Sequence, residues 1–212
     1  MPRPSLARRE RHELCDLALI LGEDAPTLCG DWDAKDLVAH LLVREHRPIG
    51  AIGITVPQLA GLHDREIARL GRQDFAVLVE KLRDPGLTPY AIKRLEQLLN
   101  TLEYFVHHED LRRAQDDWEP RELDAADQQR LWNAVKGAAR LSARKAGVPV
   151  RIARSDVPGQ SATLRRGEDP ATVTGLPSEL VLFFFGRDQT RGLRFDGPPE
   201  SVQQLHGTKK GF

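Results

Sequence analysis

The sequence predicts an α+β protein, with a helical half over residues 1–146 and a small α/β half over residues 147–212. Two observations carry this. From residue 5 to about residue 145 the apolar residues recur at helical spacing, and the breaks between periodic stretches are short and hold Pro, Gly or Asp. At Gly147 the pattern changes: Val148, Val150 and Ile152 alternate with Pro149 and Arg151, as in a strand with one buried face.

The first helix is expected from Ser5 to about Leu21, with Leu14, Leu17, Ala18 and Leu21 on one stripe; Gly22 and the Asp24-Ala25-Pro26 segment stop it. A second starts after Trp32. Asp33 suits its N-cap, and Asp36 puts negative charge in the first turn, at the positive end of the helix dipole. It ends near Arg47-Pro48. Between Pro57 and Asp84 two shorter helices are expected, one through Leu59, Leu62, Ile67 and Leu70, the other beyond Gly71 through Phe75, Leu78, Val79 and Leu82. After the Pro85-Gly86 turn, Ile92, Leu95, Leu99, Leu102 and Val106 follow at spacings of 3, 4, 3 and 4, the inward stripe of a long helix. The last helix of this half runs from its cap Asp124 to about Lys145, through Leu131, Val135, Ala138, Ala139 and Leu141.

In the second half Val157-Pro158-Gly159 makes a turn, Ala162 and Leu164 alternate again, and a third short strand lies around Thr172 to Thr174. The run Leu180 to Phe185 is too apolar on all sides to lie on a surface. Pro177 suits the first turn of a buried helix there and Gly186 its end, although periodicity alone also fits a buried strand. A final helix follows Pro198-Pro199.

Composition narrows the function classes. Among 212 residues, 31 Lys and Arg balance 31 Asp and Glu, which argues against a dedicated nucleic-acid binder. The Leu180 to Phe185 run is far short of the roughly 20 residues a membrane-spanning helix needs, and the first residues hold no apolar core of an export signal. Two cysteines, Cys15 and Cys29, are too few for a disulfide framework, so reduced thiols and a cytoplasmic location are expected. Phosphate-loop, dinucleotide-binding and serine-hydrolase motifs are absent.

The residues that suit chemistry are His40, Glu103 and His107. Glu103 and His107, four apart, project from one face of the long helix beside its apolar stripe. An ionised Glu among aliphatic side chains costs several kcal/mol unless paired, and a metal dication beside a neutral imidazole satisfies both groups. His40, within the mostly apolar Leu37 to Leu42 stretch, can face them from the second helix. Two histidines and a carboxylate, with coordination positions left open, suit catalytic zinc and also non-heme iron or nickel. Asp110, three residues after His107, can orient the metal-bound imidazole, or can pair with Arg113 instead. A purely structural reading fits the same spacing: Glu103 with Arg94 or another basic side chain, His107 hydrogen-bonded in the core, His40 at a helix interface. His108 points about 100° away from His107 and is expected at a surface or interface. His12, His46, His63 and His206 are expected to be solvated, and Cys29 to be a loop or core residue rather than a ligand or reactive thiol.

The Trp32-Asp33 helix entry with Asp36-Leu37-Val38-Ala39-His40-Leu41, and the segment Glu103-Tyr104-Phe105-Val106-His107-His108-Glu109-Asp110-Leu111, resemble the mycothiol-dependent maleylpyruvate isomerase and DinB-like superfamily. The resemblance spans both halves, since Val173 to Leu180 followed by Phe185-Gly186-Arg187 is similar to that family's small α/β domain, whose Gly-Arg pair closes a helix. It implies a DinB-like four-helix bundle holding a divalent metal, usually zinc, on His40, Glu103 and His107. It also implies mycothiol, a low-molecular-weight thiol, as co-substrate, and makes Arg187 a candidate catalytic residue that forks onto an anionic substrate or thiol; a cation at a helix C-terminus is the alternative role. Ala25 to Cys29 and Arg44 to Pro48 look like an actinobacterial subgroup described only as metal-binding. Relative to maleylpyruvate isomerase the chain is short between the second and long helices, so no substrate residues are carried over from there.

These readings converge on a metal-dependent enzyme that uses a thiol for transfer, addition or isomerisation on a small electrophile. Two alternatives stand beside it: a metal-dependent hydrolase of a small amide or thiol conjugate, and a non-catalytic metal-binding module whose site is closed by His46 or Cys29. The expected partners are a small-molecule substrate and a thiol, with no nucleic acid and no membrane, and the expected state is a monomer or weak dimer.

Overall fold

Side-chain caps and glycines delimit the helices much as the sequence suggests. The computed structural model describes residues 3–46, 60–84 and 93–208, with the backbone alone at 46, 60–64 and 93–99. Its chain contacts divide into two units, residues 1–119 and 120–212. Among the described residues there are eight helices and one four-stranded sheet, an α+β composition. No described helix is long and apolar enough to cross a membrane.

In the first unit, helix α1 (Leu6–Leu21) is capped by Ser5, whose hydroxyl accepts from the Arg8 amide at 3.3 Å, and ends at Gly22 with φ 91°. Helix α2 (Ala34–His46) begins where Asp33 Oδ1 accepts from the Asp36 amide at 2.8 Å. Helices α3 (Ala60–Leu70) and α4 (Phe75–Arg83) are the two short ones, and Asp74 caps α4 by accepting from the Val77 amide at 3.1 Å. The long helix is α5 (Lys93–Arg113). Leu102 and Val106 of its expected stripe are buried; Ile92 and the side chains of Leu95 and Leu99 lie outside the described residues.

Helix α1 packs on α5 and α4, and α2 packs on α4 and α3. Leu14, Cys15, Ala18, Leu37, Leu41, Leu78, Leu82, Tyr104 and Leu111 form the core among them. Both α1 and α2 run antiparallel to α5. Glu10 meets His108 while Arg11 lies over Tyr104, and His40 meets His107 while Glu45 meets Tyr104. Side chains from two helices are thereby brought to one stretch of α5, residues 103–110.

In the second unit, helix α6 (Ala125–Ala146) is capped by Asp124, which accepts from the Asp127 amide at 2.8 Å, and ends at left-handed Gly147. The sequence groups this helix with the helical half and sets the boundary at 146; its contacts place it with the sheet, and the units divide between Glu119 and Pro120. Ser178 receives a 3.2 Å bond from the Gln128 side chain and donates its amide to Gln128 Oε1 at 3.1 Å. Ser142 Oγ donates to the Phe184 carbonyl at 3.3 Å, and Arg154 Nη1 to Gln129 Oε1 at 2.6 Å. A helical stripe reveals that a face is buried, not which element buries it. Gly147 therefore marks a change of local structure inside the second unit.

Strands β1 (Val150–Arg154), β2 (Ser161–Arg165), β3 (Ala171–Gly175) and β4 (Arg194–Asp196) form a sheet in the order β2-β1-β3-β4. β1 is antiparallel to β2 and parallel to β3, and β3 is antiparallel to β4. The sequence reading lacks β4, a three-residue strand whose extended shape comes from its pairing with β3. The apolar run is a helix, α7 (Pro177–Phe184), closed by Gly186 at φ 84°. There the Gly186 amide reaches the Phe183 carbonyl and the Arg187 amide the Leu182 carbonyl, both at 3.0 Å, which is the Schellman arrangement. The last helix is α8 (Pro199–Gly207).

Gly197, which follows β4, has φ 122°, and a Cβ there would stand 2.7 Å from the Pro170 carbonyl oxygen and 3.2 Å from Ala171 Cα. Both are backbone atoms that cannot swing aside. Gly197→Ala is therefore expected to cost about 1–3 kcal/mol. An unchanged urea midpoint by circular dichroism would contradict this packing.

Candidate metal centre

One turn of α5 supplies two of the three candidate ligands, because residues four apart share a face. Glu103 Oε2 lies 3.5 Å from His107 Nε2. His40 enters from α2; its ring meets that of His107 edge-on at 5.2 Å and rests against Trp32 at 4.9 Å. One donor atom from each of His40, Glu103 and His107 falls within 4.8 Å of the others. The sequence-predicted trio is thus assembled.

The groups behind the trio explain its electrostatics. Asp110, 0% exposed, places Oδ2 3.0 Å from His107 Nδ1, so that nitrogen is a donor and Nε2 is aimed at Glu103. Arg113, the other partner open to Asp110, donates to Glu109 at 2.5 Å. Burial disfavours a charged imidazole, but the hydrogen bonds with Asp110, Cys29 and Glu103 outweigh it and hold His107 well above its ordinary pKa. For Glu103, burial pushes the carboxyl up; the His107 hydrogen bond and the Arg44 guanidinium, 3.6 Å away, override this and bring it down to about 2. The structural alternative read from sequence thus finds a basic partner for Glu103 in Arg44, which also donates to Asn100 at 2.8 Å. The side chains of Arg94, His46 and His63 lie outside the described residues.

Cys29, which the sequence reading takes mainly as a loop or core residue and offers as a ligand only in its non-catalytic alternative, belongs to this neighbourhood. Its loop is tied down by the Leu28 amide on the Asp110 carbonyl at 3.1 Å, by Gln115 Nε2 on the Pro26 carbonyl at 3.2 Å, and by Thr27 Oγ1 on the Trp32 carbonyl at 2.7 Å. Its Sγ consequently sits 3.1 Å from Asp110 Oδ2 and 3.7 Å from His107 Nδ1. No periodic signal links residue 29 to residue 110; only the folded loop does.

His108 is buried rather than at a surface. Its Nδ1 lies 2.8 Å from Glu10 Oε2, and Glu10 is 1% exposed. On the next face, Tyr104 donates to Glu45 Oε1 at 2.6 Å, Arg11 pairs with the same oxygen, and the Arg11 guanidinium lies 4.7 Å from the Tyr104 ring. Burial and the Glu45 charge push the Tyr104 hydroxyl well up, so it stays protonated and donates.

Arg187 lies in the second unit, where Nη1 donates to the Phe185 carbonyl at 2.5 Å, as suits a helix C-terminal cation.

No protein family, curated protein or solved structure matches the chain.

The trio's spacing suits a cation. With bonds of about 2.0–2.1 Å, two nitrogen or oxygen ligands of tetrahedral zinc are about 3.4 Å apart. The Glu103–His107 separation of 3.5 Å already equals that edge. Three protein ligands leave a coordination position open, and the Glu103 side chain, 27% exposed, keeps that side accessible.

Proposed function

We propose that the protein is a metal-dependent enzyme, with zinc as the cation, that uses a low-molecular-weight thiol of the mycothiol type for transfer, addition or isomerisation on a small electrophile. The observation that carries the metal is the convergence of His40, Glu103 and His107, backed by Asp110 on the far nitrogen of His107. Assignment of the first unit to the DinB-like four-helix bundles, the thiol and a cytoplasmic, monomeric or weakly dimeric state follow from the sequence resemblance and belong to the same proposal. A bound dication there supplies a Lewis acid that keeps a thiol ionised at neutral pH.

The chain's own residues perform the rest. His40 and His107 offer neutral imidazoles and Glu103 a carboxylate, so the ligand set carries a single negative charge and leaves the bound cation electrophilic. Asp110 takes the Nδ1 proton of His107 in a hydrogen bond and holds the ring's direction. Arg44, beside Glu103, holds that carboxylate ionised and adds positive charge next to the site. Trp32 walls the His40 side.

Elemental analysis of the purified protein, with no metal added after lysis, is expected to find about one equivalent of zinc in wild type. Thiol-transfer assays on a panel of electrophiles then test the reaction: activity that needs both metal and thiol is expected. Turnover in thiol-free buffer would turn the reading to hydrolysis, and a metal-free wild type that also fails to take up added metal would overturn it.

A further inference from the structure

We infer that Cys29 Sγ, His107 Nδ1 and Asp110 Oδ2 form a second cation position, selective for a thiophilic dication such as cadmium or zinc, on the opposite edge of the His107 ring from Glu103. This position does not rest on the proposed enzymatic function, since it needs neither His40 nor Glu103.

The three donor atoms are already spaced as ligands. Their separations are 3.1 Å for Sγ to Oδ2, 3.7 Å for Sγ to Nδ1 and 3.0 Å for Nδ1 to Oδ2. With zinc–sulfur bonds of about 2.3 Å and zinc–nitrogen or zinc–oxygen bonds of about 2.0–2.1 Å, tetrahedral edges are about 3.6 Å to sulfur and about 3.4 Å between the lighter atoms. Each observed separation lies within about half an ångström of its edge, so closure around an ion needs only small side-chain adjustments.

Charge and softness favour the same ion. A thiolate and a carboxylate beside a neutral imidazole cancel a dication, which lets it sit against Asp110, a residue 0% exposed, without an uncompensated buried charge. The His40, Glu103 and His107 set leaves one positive charge over and holds no sulfur, so a thiophilic ion prefers the Cys29 side. The loop that carries Cys29 is held in place by the Leu28 amide on the Asp110 carbonyl and by Thr27, whose Oγ1 also accepts from the Cys29 amide at 3.1 Å. Cys29 is only partly buried, which gives an ion a way in.

The two positions compete. A neutral imidazole offers one lone pair, so an ion on Nδ1 requires the proton on Nε2, and an ion on Nε2 requires it on Nδ1. A thiophilic metal at Cys29 therefore removes both a ligand and its orienting carboxylate from the His40 position. The other thiol is not a rival: Cys15 is buried with Sγ on the Val79 carbonyl at 3.7 Å, and burial pushes it up to about 12.

The test is titration of the metal-free full chain with cadmium chloride, read by ultraviolet thiolate-to-cadmium absorption and by equilibrium dialysis. Wild type is expected to develop the band and saturate at one equivalent. Cys29→Ser is expected to lose the band and bind cadmium at least about tenfold more weakly, Asp110→Asn to need more cadmium for the same band, and His40→Ala to keep band and affinity. Absence of the band in wild type, its persistence in Cys29→Ser, or its loss in His40→Ala would overturn the inference. Failure of the thiol-transfer assays with zinc leaves these cadmium results unchanged, so the two ideas fail separately.

Discussion

His107→Ala is expected to abolish metal binding and, independently, to destabilise the metal-free first unit. Both losses have one cause, because the imidazole serves Glu103 on one side and Asp110 on the other. Without it Asp110 remains fully buried and loses its imidazole partner, and removing one member of a buried charged pair costs about 3–5 kcal/mol. His40→Ala separates the two effects. His40 packs its ring against Trp32 and His107, whereas the fully buried Asp110 pairs with His107, so loss of His40 is expected to empty the cation site while lowering metal-free stability far less. Thermal midpoints of wild type and both variants, with and without chelator, check this; equal midpoints for the two variants after chelation would contradict it.

The same ring sets a pH dependence. Because the folded protein holds His107 well above its ordinary value near 6.5, its pairing contributes stability that is fully present below that value and is lost as pH rises through the raised one. A cation must displace the proton, so metal affinity is expected to rise with pH through the neutral range and to level off above the folded-state value. Glu103, at about 2, is ionised throughout; its stabilising contribution is present above about 4.5 and fades only as pH falls towards 2. A metal dissociation constant that is flat between mildly acidic and mildly alkaline buffer would refute this assignment.

Glu109→Ala is expected to be the most damaging change away from the cation site. Glu109 and Arg113 have side chains 1% exposed and are joined at 2.5 Å, with Arg112 adding contacts at 3.2 and 3.3 Å. Leaving Arg113 charged and buried costs about 3–5 kcal/mol. The double variant Glu109→Leu, Arg113→Leu is expected to recover much of this, though not all, since the Arg113 guanidinium also lies 4.6 Å from the Trp118 ring. Urea midpoints of the two single variants and the double give the coupling; a single-variant loss below about 1 kcal/mol would mean the pair behaves as a solvated one.

Much of the local structure is legible in the sequence because its causes are local. Ser5, Asp33, Asp74 and Asp124 stand where helices begin, three of them anticipated there, and Gly22, Gly147 and Gly186 stand just beyond helix ends with positive φ. His40, Glu103 and His107 were legible for a related reason: helical period fixes which residues share a face. What escaped depends on distant partners. Nothing near Cys29 announces Asp110, and His108, expected at a surface or interface, lies at a helix interface whose partner Glu10 is 98 residues away in sequence. Likewise α6 shows its apolar stripe in the sequence but not the helix and strand it lies on, and β4 is a strand only through β3.

The run His107-His108-Glu109-Asp110 has a further consequence for how α5 finds its seat. Successive residues on a helix are turned by about 100°, so four adjacent polar side chains leave α5 in four directions. One meets α2, one meets Glu10 on α1, one folds back to Arg113, and one meets the Cys29 loop. An aliphatic stripe tolerates a slide of three or four residues, since leucines at that spacing can exchange places. Here a slide of four residues, about 6 Å, would set Tyr104 against Glu10 and Val106 against the Cys29 loop in place of His108 and Asp110. The four residues thus act as a key cut for one lock: misaligned packings of α5 are rejected together, and a single alignment survives.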